Sequence, residues 1–246
     1  DTRHFGREEI LPRPDGLIGY VSNEIQRRFD SREVLGADQE NWLEAEIEQA
    51  ADTRWHFIGQ QFLVAPLDVP DLEPLVDLDG PGALPRATLE GFISFSKINP
   101  LFLNDSWEGY TSAKQRFLDM LRASRSVPIV LTGDIHMSVA ADIPHEGEII
   151  AHELVTTSVT SPGIDSIFPA KTPGGVDRGF EDQNPDIRHQ QSAYRGWMKV
   201  DVSPAEVRAK WHYVSSVVSQ DLTSLSGKSA VIVQAQGGHS EMAILD

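Results

Sequence analysis

Val127-Pro128-Ile129-Val130-Leu131-Thr132 is a short apolar run, and Gly133-Asp134-Ile135-His136 follows it directly. Such a run, ended by a glycine, is typical of a strand buried in a sheet. Residues i and i+2 of extended backbone project to the same side, so Asp134 and His136 are expected to leave the carboxyl end of this strand together. In α/β proteins this end of the sheet is where ligands bind.

Asp134 and His136 are candidate metal ligands. A carboxylate oxygen beside a neutral imidazole nitrogen suits a transition metal, or a mixed site with a harder cation. The same two residues would also serve as caps and loop hydrogen-bond partners, and a catalytic metal usually needs at least three protein ligands. The pattern alone therefore leaves both the metal site and the structural alternative open.

The pattern around this run predicts a layered α/β domain, because a helix followed by a buried strand occurs twice. The first pair is a helix over residues 38–50, capped by Asp38, and a strand over 55–64. The second pair is a helix over 111–123 and the strand 127–132. The remaining expectations are a loop with one turn of helix over 1–36, an irregular segment over 66–91, an antiparallel hairpin of strands 197–202 and 207–214, and a last strand over 230–235.

Composition excludes several classes of protein. The 246 residues carry a net charge of −16, from 21 Lys and Arg against 37 Asp and Glu, so we expect no nucleic-acid-binding patch. No stretch approaches the roughly 18 apolar residues of a membrane span. The absence of cysteine excludes a disulfide scaffold and a thiolate metal site within these residues. Five Trp and ten Phe are enough for a substantial core, and we expect one domain over residues 1–246.

Several blocks of the sequence, in one order along the chain, resemble the alkaline phosphatase D (PhoD-like) metallophosphoesterase family. Thr132-Gly133-Asp134-Ile135-His136 is similar to that family's Gly-Asp-x-His block. The other blocks are Asp1-Thr2-Arg3, residues 35–43, Gly59-Gln60-Gln61, residues 107–110, residues 153–163, Asn184-Pro185 and Arg195-Gly196-Trp197.

The resemblance implies a layered calcineurin-like α/β/β/α sandwich with a multinuclear metal centre at the sheet ends. It implies hydrolysis of phosphomonoesters or phosphodiesters, iron and calcium as the metal ions, and an extracytoplasmic (periplasmic or secreted) location. At the matching positions, Asp134 and His136 take the role of metal ligands. His189, near Arg188, is a further candidate for substrate binding at the rim of the pocket.

The sequence also departs from the family pattern. The family's other metal ligands, among them a cysteine, lie upstream of its Asp-Thr-Arg block, which here is residues 1–3. We therefore expect these residues to be the C-terminal portion of the domain, incomplete at its N-terminus, with the N-terminal portion as a possible partner. Asp186 stands where the family usually has His. The alternative to a hydrolase is a non-catalytic fragment, or one half of a split protein, that acts as a binding module.

Overall fold

The computed structural model describes residues 2, 4–12, 16–29, 31–81, 84–98, 105–235 and 239–246. The helices are α1 (Gly16–Phe29), α2 (Ala37–Gln49), α3 (Arg86–Ser96), α4 (Thr111–Ala123), α5 (Ile164–Ile167) and α6 (Gly175–Gln183). The strands are β1 (Trp55–Gln60), β2 (Val127–Thr132), β3 (Ser138–His145), β4 (Glu148–Val155), β5 (Ile187–Gln191), β6 (Arg195–Val202), β7 (Glu206–Val214), β8 (Ser224–Gln234) and β9 (Ser240–Leu245). The predicted helix 111–123 and strand 127–132 are confirmed.

The first sheet is mixed, with strand order β1-β2-β4-β3-β5. Strands β1, β2 and β4 are parallel, while β3 runs antiparallel to both β4 and β5. The inner strand β2 is apolar up to its last residue, Thr132, as expected for a strand with a neighbour on each side and a packed layer on each face. Its carboxyl end therefore lies level with the ends of β1 and β4.

The second sheet is an antiparallel meander with strand order β6-β7-β8-β9. Burial alternates residue by residue along β7, so one face of this sheet is packed and the other is polar. The predicted hairpin of residues 197–202 and 207–214 corresponds to β6 and β7 and is confirmed. The last predicted strand, 230–235, is the second half of β8, and β9 is an additional strand.

The two sheets face each other across one core, and helices cover the other face of the first sheet. Ile129, Ala140 and Leu154 of the first sheet pack against Val207, Trp211 and Ile232 of the second. On the opposite face of the first sheet there are two further hydrophobic clusters. One joins the sheet to α2 and α4, and the other joins it to α3 and α6. The layered α/β class predicted from the sequence is confirmed. No described helix is long and apolar enough to cross a membrane.

Helix α1 corrects the prediction for residues 1–36, which we expected to be a loop with one helical turn. Ile18, Val21, Ile25 and Phe29 have the i, i+3, i+7, i+11 spacing of one helix face. All four are exposed, with Ile18 at 88% and Phe29 at 84%. Pro12 and Pro14, which favour a loop here, come before Gly16 in the sequence, and a proline before the first helical residue interrupts no hydrogen bond of the helix.

Three boundaries also differ from prediction. The strand predicted over 55–64 stops at Gln60, because the chain turns away from the sheet to bury Phe62 and Leu63. The irregular segment predicted over 66–91 ends earlier, since α3 begins at Arg86. Gly36, not Asp38, is the N-cap of α2, and Asp38 lies in the first turn, where its charge favours the positive end of the helix dipole.

Two tryptophans of the second sheet provide a matched test of the core between the sheets. Trp211 is fully buried and donates its indole N–H to the carbonyl of Val155 at 2.9 Å, whereas Trp197 is 54% exposed. We expect Trp211→Ala to lower the free energy of unfolding by about 3–5 kcal/mol and Trp197→Ala by less than about 1 kcal/mol. Urea unfolding followed by circular dichroism measures both, and equal losses would contradict this packing.

Candidate functional site

The ends of three parallel strands meet at one edge of the first sheet. Gln60 of β1 is in register with Thr132 of β2, and Thr132 is in register with Val155 of β4. The chain continues from β2 into the loop Gly133–Met137 and from β4 into residues 156–163. The N–H of Thr156 donates to the carbonyl of Thr132 at 2.9 Å, which keeps the two loops together as they leave the sheet.

A buried carboxylate holds these strand ends together through hydrogen bonds. Glu153 of β4 is completely buried and accepts hydrogen bonds from the N–H groups of Val64 (3.0 Å) and Ala65 (2.7 Å). The hydroxyl of Thr132 lies 2.5 Å from the same carboxylate, and Gln60 donates to that hydroxyl at 2.7 Å. One side chain thus ties together the segment after β1, the end of β2 and β4.

Burial raises the pKa of Glu153 above its ordinary value, although the hydrogen bonds from Ala65, Thr132 and Val64 act in the opposite direction. Removing a carboxylate from water disfavours its charged form more than these three donors favour it. Glu153 therefore keeps its proton to a higher pH in the folded chain than in the unfolded chain.

The loop that carries Asp134 and His136 is not extended, contrary to the prediction. Both residues have positive φ, 67° for Asp134 and 58° for His136. Left-handed backbone is uncommon for residues other than glycine, and two such residues in one loop occur where the surroundings enforce an unfavourable conformation. Asp134 is exposed and His136 is half-buried, so both side chains are within reach of solvent.

The imidazole of His136 is held by a backbone carbonyl. Its Nδ1 lies 2.8 Å from the carbonyl oxygen of Pro162. A carbonyl can only accept, so Nδ1 must carry the hydrogen, and in the neutral ring the lone pair is then on Nε2. This is the arrangement in which a histidine presents Nε2 to a metal while its other nitrogen fixes the orientation of the ring.

Arg195 holds the loop that provides this carbonyl. Its buried guanidinium donates to the carbonyl of Ser161 (2.6 Å), to the carbonyl of Ser192 (2.6 Å) and to the carboxylate of Asp165 (2.6 Å). Gly163 fits between the backbone of His136 and Arg195, where an added Cβ would lie 2.8 Å from the carbonyl oxygen of His136. The position of the imidazole thus depends on residues more than 25 positions away in the sequence.

The structure does not place His189 on an exposed rim. Its ring is buried in β5, where Nδ1 lies 3.4 Å from Glu181 and the ring packs edge-to-face on Trp211. Its assignment as a substrate-binding residue stays a prediction.

The carbonyl of Asp186 accepts a hydrogen bond from the N–H of Asp142 at 2.9 Å. Burial and, to a lesser extent, the nearby Asp142 carboxylate raise the pKa of Asp186.

Sequence reasoning missed Glu153 and Arg195 as contributors to the site. The available signal for Glu153 was a carboxylate that follows His152 and directly precedes the apolar Leu154 and Val155 in β4, where a buried charge needs several donors. Arg195 gave no such signal, because nothing in the sequence indicates that the segment with Ser161 and Asp165 packs against it.

The donors at this edge suit a metal ion, but they do not complete a coordination shell. A carboxylate and an oriented imidazole are the ligand types that a mixed site for a transition metal and a harder cation needs. Within the described ranges, no three side chains among His, Asp and Glu come together as a metal-binding group. Asp134 and His136 therefore fit a metal ion as part of a coordination shell.

The fold and this edge define an α/β protein whose site is built at the carboxyl ends of its parallel strands. Residues 1–211 match the family model of the PhoD-like phosphatases, and the chain belongs to that family. The whole chain is similar to a solved structure described as the structure of PhoD, with a TM-score of 0.67 and 20% sequence identity. The match covers 41% of that structure, so the chain spans about two fifths of its length. A comparison with curated proteins found no match.

The raised pKa of Glu153 predicts a pH-dependent contribution to stability. A group whose pKa is raised by folding contributes stability that is complete below its unfolded value, here about 4.5, and is lost as the pH rises through the folded value. We expect the wild-type protein to lose part of its free energy of unfolding above pH 4.5, and Glu153→Gln to lack this component.

Urea unfolding at several pH values between 4.5 and 8, monitored by tryptophan fluorescence, measures this component. The exposed Glu241→Gln is the matched control and should follow the wild-type curve. Parallel pH profiles for the wild type and Glu153→Gln would refute the raised pKa.

Proposed function

We propose that this chain supplies part of the metal centre of a hydrolase for phosphomonoesters or phosphodiesters, with iron and calcium as the metal ions. The observation that carries the proposal is the imidazole of His136, whose Nδ1 is held by the carbonyl of Pro162 beside the carboxylate-bearing Asp134. Membership in the PhoD-like phosphatase family supports the phosphatase chemistry. By resemblance, we also propose an extracytoplasmic location.

The residues of this chain would bind and orient. Asp134 would contribute a carboxylate oxygen to the centre, and His136 would contribute the lone pair of Nε2. Arg195 would keep the Pro162 carbonyl in place and so prevent rotation of the ring. Bound metal ions supply Lewis acidity toward phosphoryl oxygens and lower the pKa of a bound water. The remaining ligands would come from a segment outside the described residues.

Substitution of Asp134 tests the metal-ligand assignment. In the full-length protein, Asp134→Ala should lower the rate of p-nitrophenyl phosphate and bis(p-nitrophenyl) phosphate hydrolysis by at least about 100-fold, because a ligand to the centre is lost. Bound iron and calcium, measured by mass spectrometry of the purified protein, should fall in parallel. Asp182→Ala, which removes an exposed carboxylate of α6, is the control. Full turnover in Asp134→Ala would remove Asp134 from the mechanism.

The alternative is a split-protein half, and the free edge of β1 favours it. β1 pairs on one side with β2 and is an edge of the first sheet among the described strands. The N–H of Val127 donates to the carbonyl of Arg54, so residues 55, 57 and 59 direct their backbone groups away from β2. No described residue bonds the outward backbone groups of Phe57 or Gly59. This edge is an available template for another strand.

We propose that the occupant of this edge is a strand from the N-terminal portion of a PhoD-like domain. A strand parallel to β1 would end at the same sheet edge as Asp134 and could therefore bring further ligands to the site. A groove of about 260 Å³ borders β1, with Trp42 and Phe57 in its wall. Trp42 is 58% exposed, so a strand here would also cover apolar surface.

Gly59 provides a matched pair of variants. Gly59→Pro removes one N–H that points away from β2 and leaves every bond to β2 in place. Gly59→Ala keeps this N–H, and its added Cβ would meet nothing within 4 Å. We expect Pro to weaken association with the separately expressed N-terminal portion at least about tenfold and Ala to have little effect, as measured by calorimetry. Equal affinities for both variants would exclude pairing at this edge.

A further inference from the structure

A second cluster of reactive side chains lies away from the strand ends that carry Asp134. His152 of β4 is buried, and its Nδ1 lies 2.7 Å from the carboxylate of Asp142 on β3. Its Nε2 lies 2.9 Å from the hydroxyl of Ser240 at the start of β9. Two hydrogen bonds thus link the hydroxyl of Ser240 to the imidazole of His152, and that imidazole to the carboxylate of Asp142.

The fold places these three residues together through strand pairing. Asp142 and His152 are directly opposite each other in the antiparallel pair of β3 and β4. His152 is also in register with Ile129 of β2, three residues before Thr132 and hence about 10 Å from the edge that carries Asp134. Ser240 reaches His152 from the second sheet, so the cluster is a separate site between the two sheets.

The hydrogen-bond chemistry fixes the direction of each bond. The Asp142 carboxylate only accepts, so Nδ1 of the neutral imidazole carries the hydrogen and Nε2 has the lone pair. The hydroxyl of Ser240 must then donate to Nε2. This is the protonation pattern in which histidine acts as general base toward a serine and the carboxylate holds the correct tautomer. Arg188, 3.8 Å from Asp142, adds a positive charge beside that carboxylate.

Ser240 borders a cleft that could admit a small substrate. The cleft has a volume of about 150 Å³, and Arg125, Pro128 and Ile149 also line it. Arg125 is exposed and has no ion-pair partner among the described residues. A volume below the usual range for drug-sized ligands suits a short acyl group, and the free guanidinium suits a carboxylate.

We propose that Ser240, His152 and Asp142 form a second hydrolytic site that cleaves small carboxylate-bearing esters. The Ser240 oxygen attacks the ester carbonyl carbon while His152 Nε2 takes the hydroxyl proton. The bond to the alkoxy group breaks, and His152 returns the proton to the leaving alcohol. Water, deprotonated by His152, then attacks the acyl carbonyl carbon; the acyl-serine bond breaks, the carboxylic acid is released, and His152 returns the proton to the Ser240 oxygen. Asp142 is a positioning residue, which holds the imidazole without contacting substrate.

A fluorophosphonate probe tests whether Ser240 is nucleophilic. The serine oxygen would attack phosphorus, fluoride would leave and the proton would pass to His152, which gives one stable adduct. We expect intact-protein mass spectrometry of the full-length protein in EDTA to show a single adduct, and peptide mapping to place it on Ser240. Chelation removes any contribution from a metal centre.

Variants distinguish a nucleophilic Ser240 from a purely structural role of the hydrogen bonds among Ser240, His152 and Asp142. Ser240→Ala should abolish labelling, whereas Ser219→Ala, which changes an exposed serine outside the cleft, should leave the labelling rate unchanged. His152→Gln and Asp142→Asn should each slow labelling at least about 100-fold, and Asp142→Glu should recover part of the rate because it restores a carboxylate.

Two results would overturn the proposal. One is no adduct on Ser240 after prolonged exposure to excess probe. The other is an Asp142→Asn variant whose labelling rate and melting temperature are both unchanged. That result would show that the hydrogen bonds among these three residues only join the two sheets. If His152→Gln does not fold, the two Asp142 variants decide the outcome. Neither readout depends on phosphatase activity, so failure here leaves the proposed metal centre unaffected.

Discussion

The buried carboxylate of Glu153 is the constraint on which the rest of the candidate site depends. A carboxylate without water must be protonated or surrounded by donors, and Glu153 has donors from Val64, Ala65 and Thr132. These contacts turn the chain away from the sheet after β1 and fix the last residue of β2. The loop that begins at Gly133 therefore starts from a defined position, and its strained backbone has a rigid base.

Contacts with distant segments of the chain offset the backbone strain in this loop. Asp134 and His136 both have positive φ, which costs on the order of 1–3 kcal/mol per residue. The Pro162 carbonyl holds the imidazole, and Arg195 holds the segment that carries this carbonyl. A conformation that the local sequence disfavours is thus imposed by tertiary hydrogen bonds. An orientation fixed in advance is what a ligand to a metal requires, since no binding energy is then spent on ordering the ring.

Local pattern predicted the regular part of this structure, and its failures have physical causes. The strand 127–132 and the helix 111–123 were predictable because apolar residues repeat with the period of each element. Helix α1 was missed because Pro12, Pro14, Gly16 and Gly19 outweighed a valid 3.6-residue period. The pair Asp134 and His136 was predicted to ligate a metal from its place after a strand, and this role stays a prediction. Its left-handed backbone was not predictable, because the contacts that impose it come from residues 153–195.

Charge gives an independent reason why phosphate chemistry at this edge needs cations from outside the polypeptide. The chain carries a net charge of −16, and the candidate site itself presents the carboxylate-bearing Asp134. The guanidinium of Arg195, beside this loop, is buried and already donates to four oxygens, so it is not available to an anionic ester. A phosphate approaching this edge would meet repulsion unless a bound cation changed the sign of the local field. A carboxylate and an oriented imidazole are suited to holding such a cation. The acidity of the chain, which makes nucleic acid an unexpected partner, is therefore compatible with the proposed phosphoester substrate only if cations are bound at this edge.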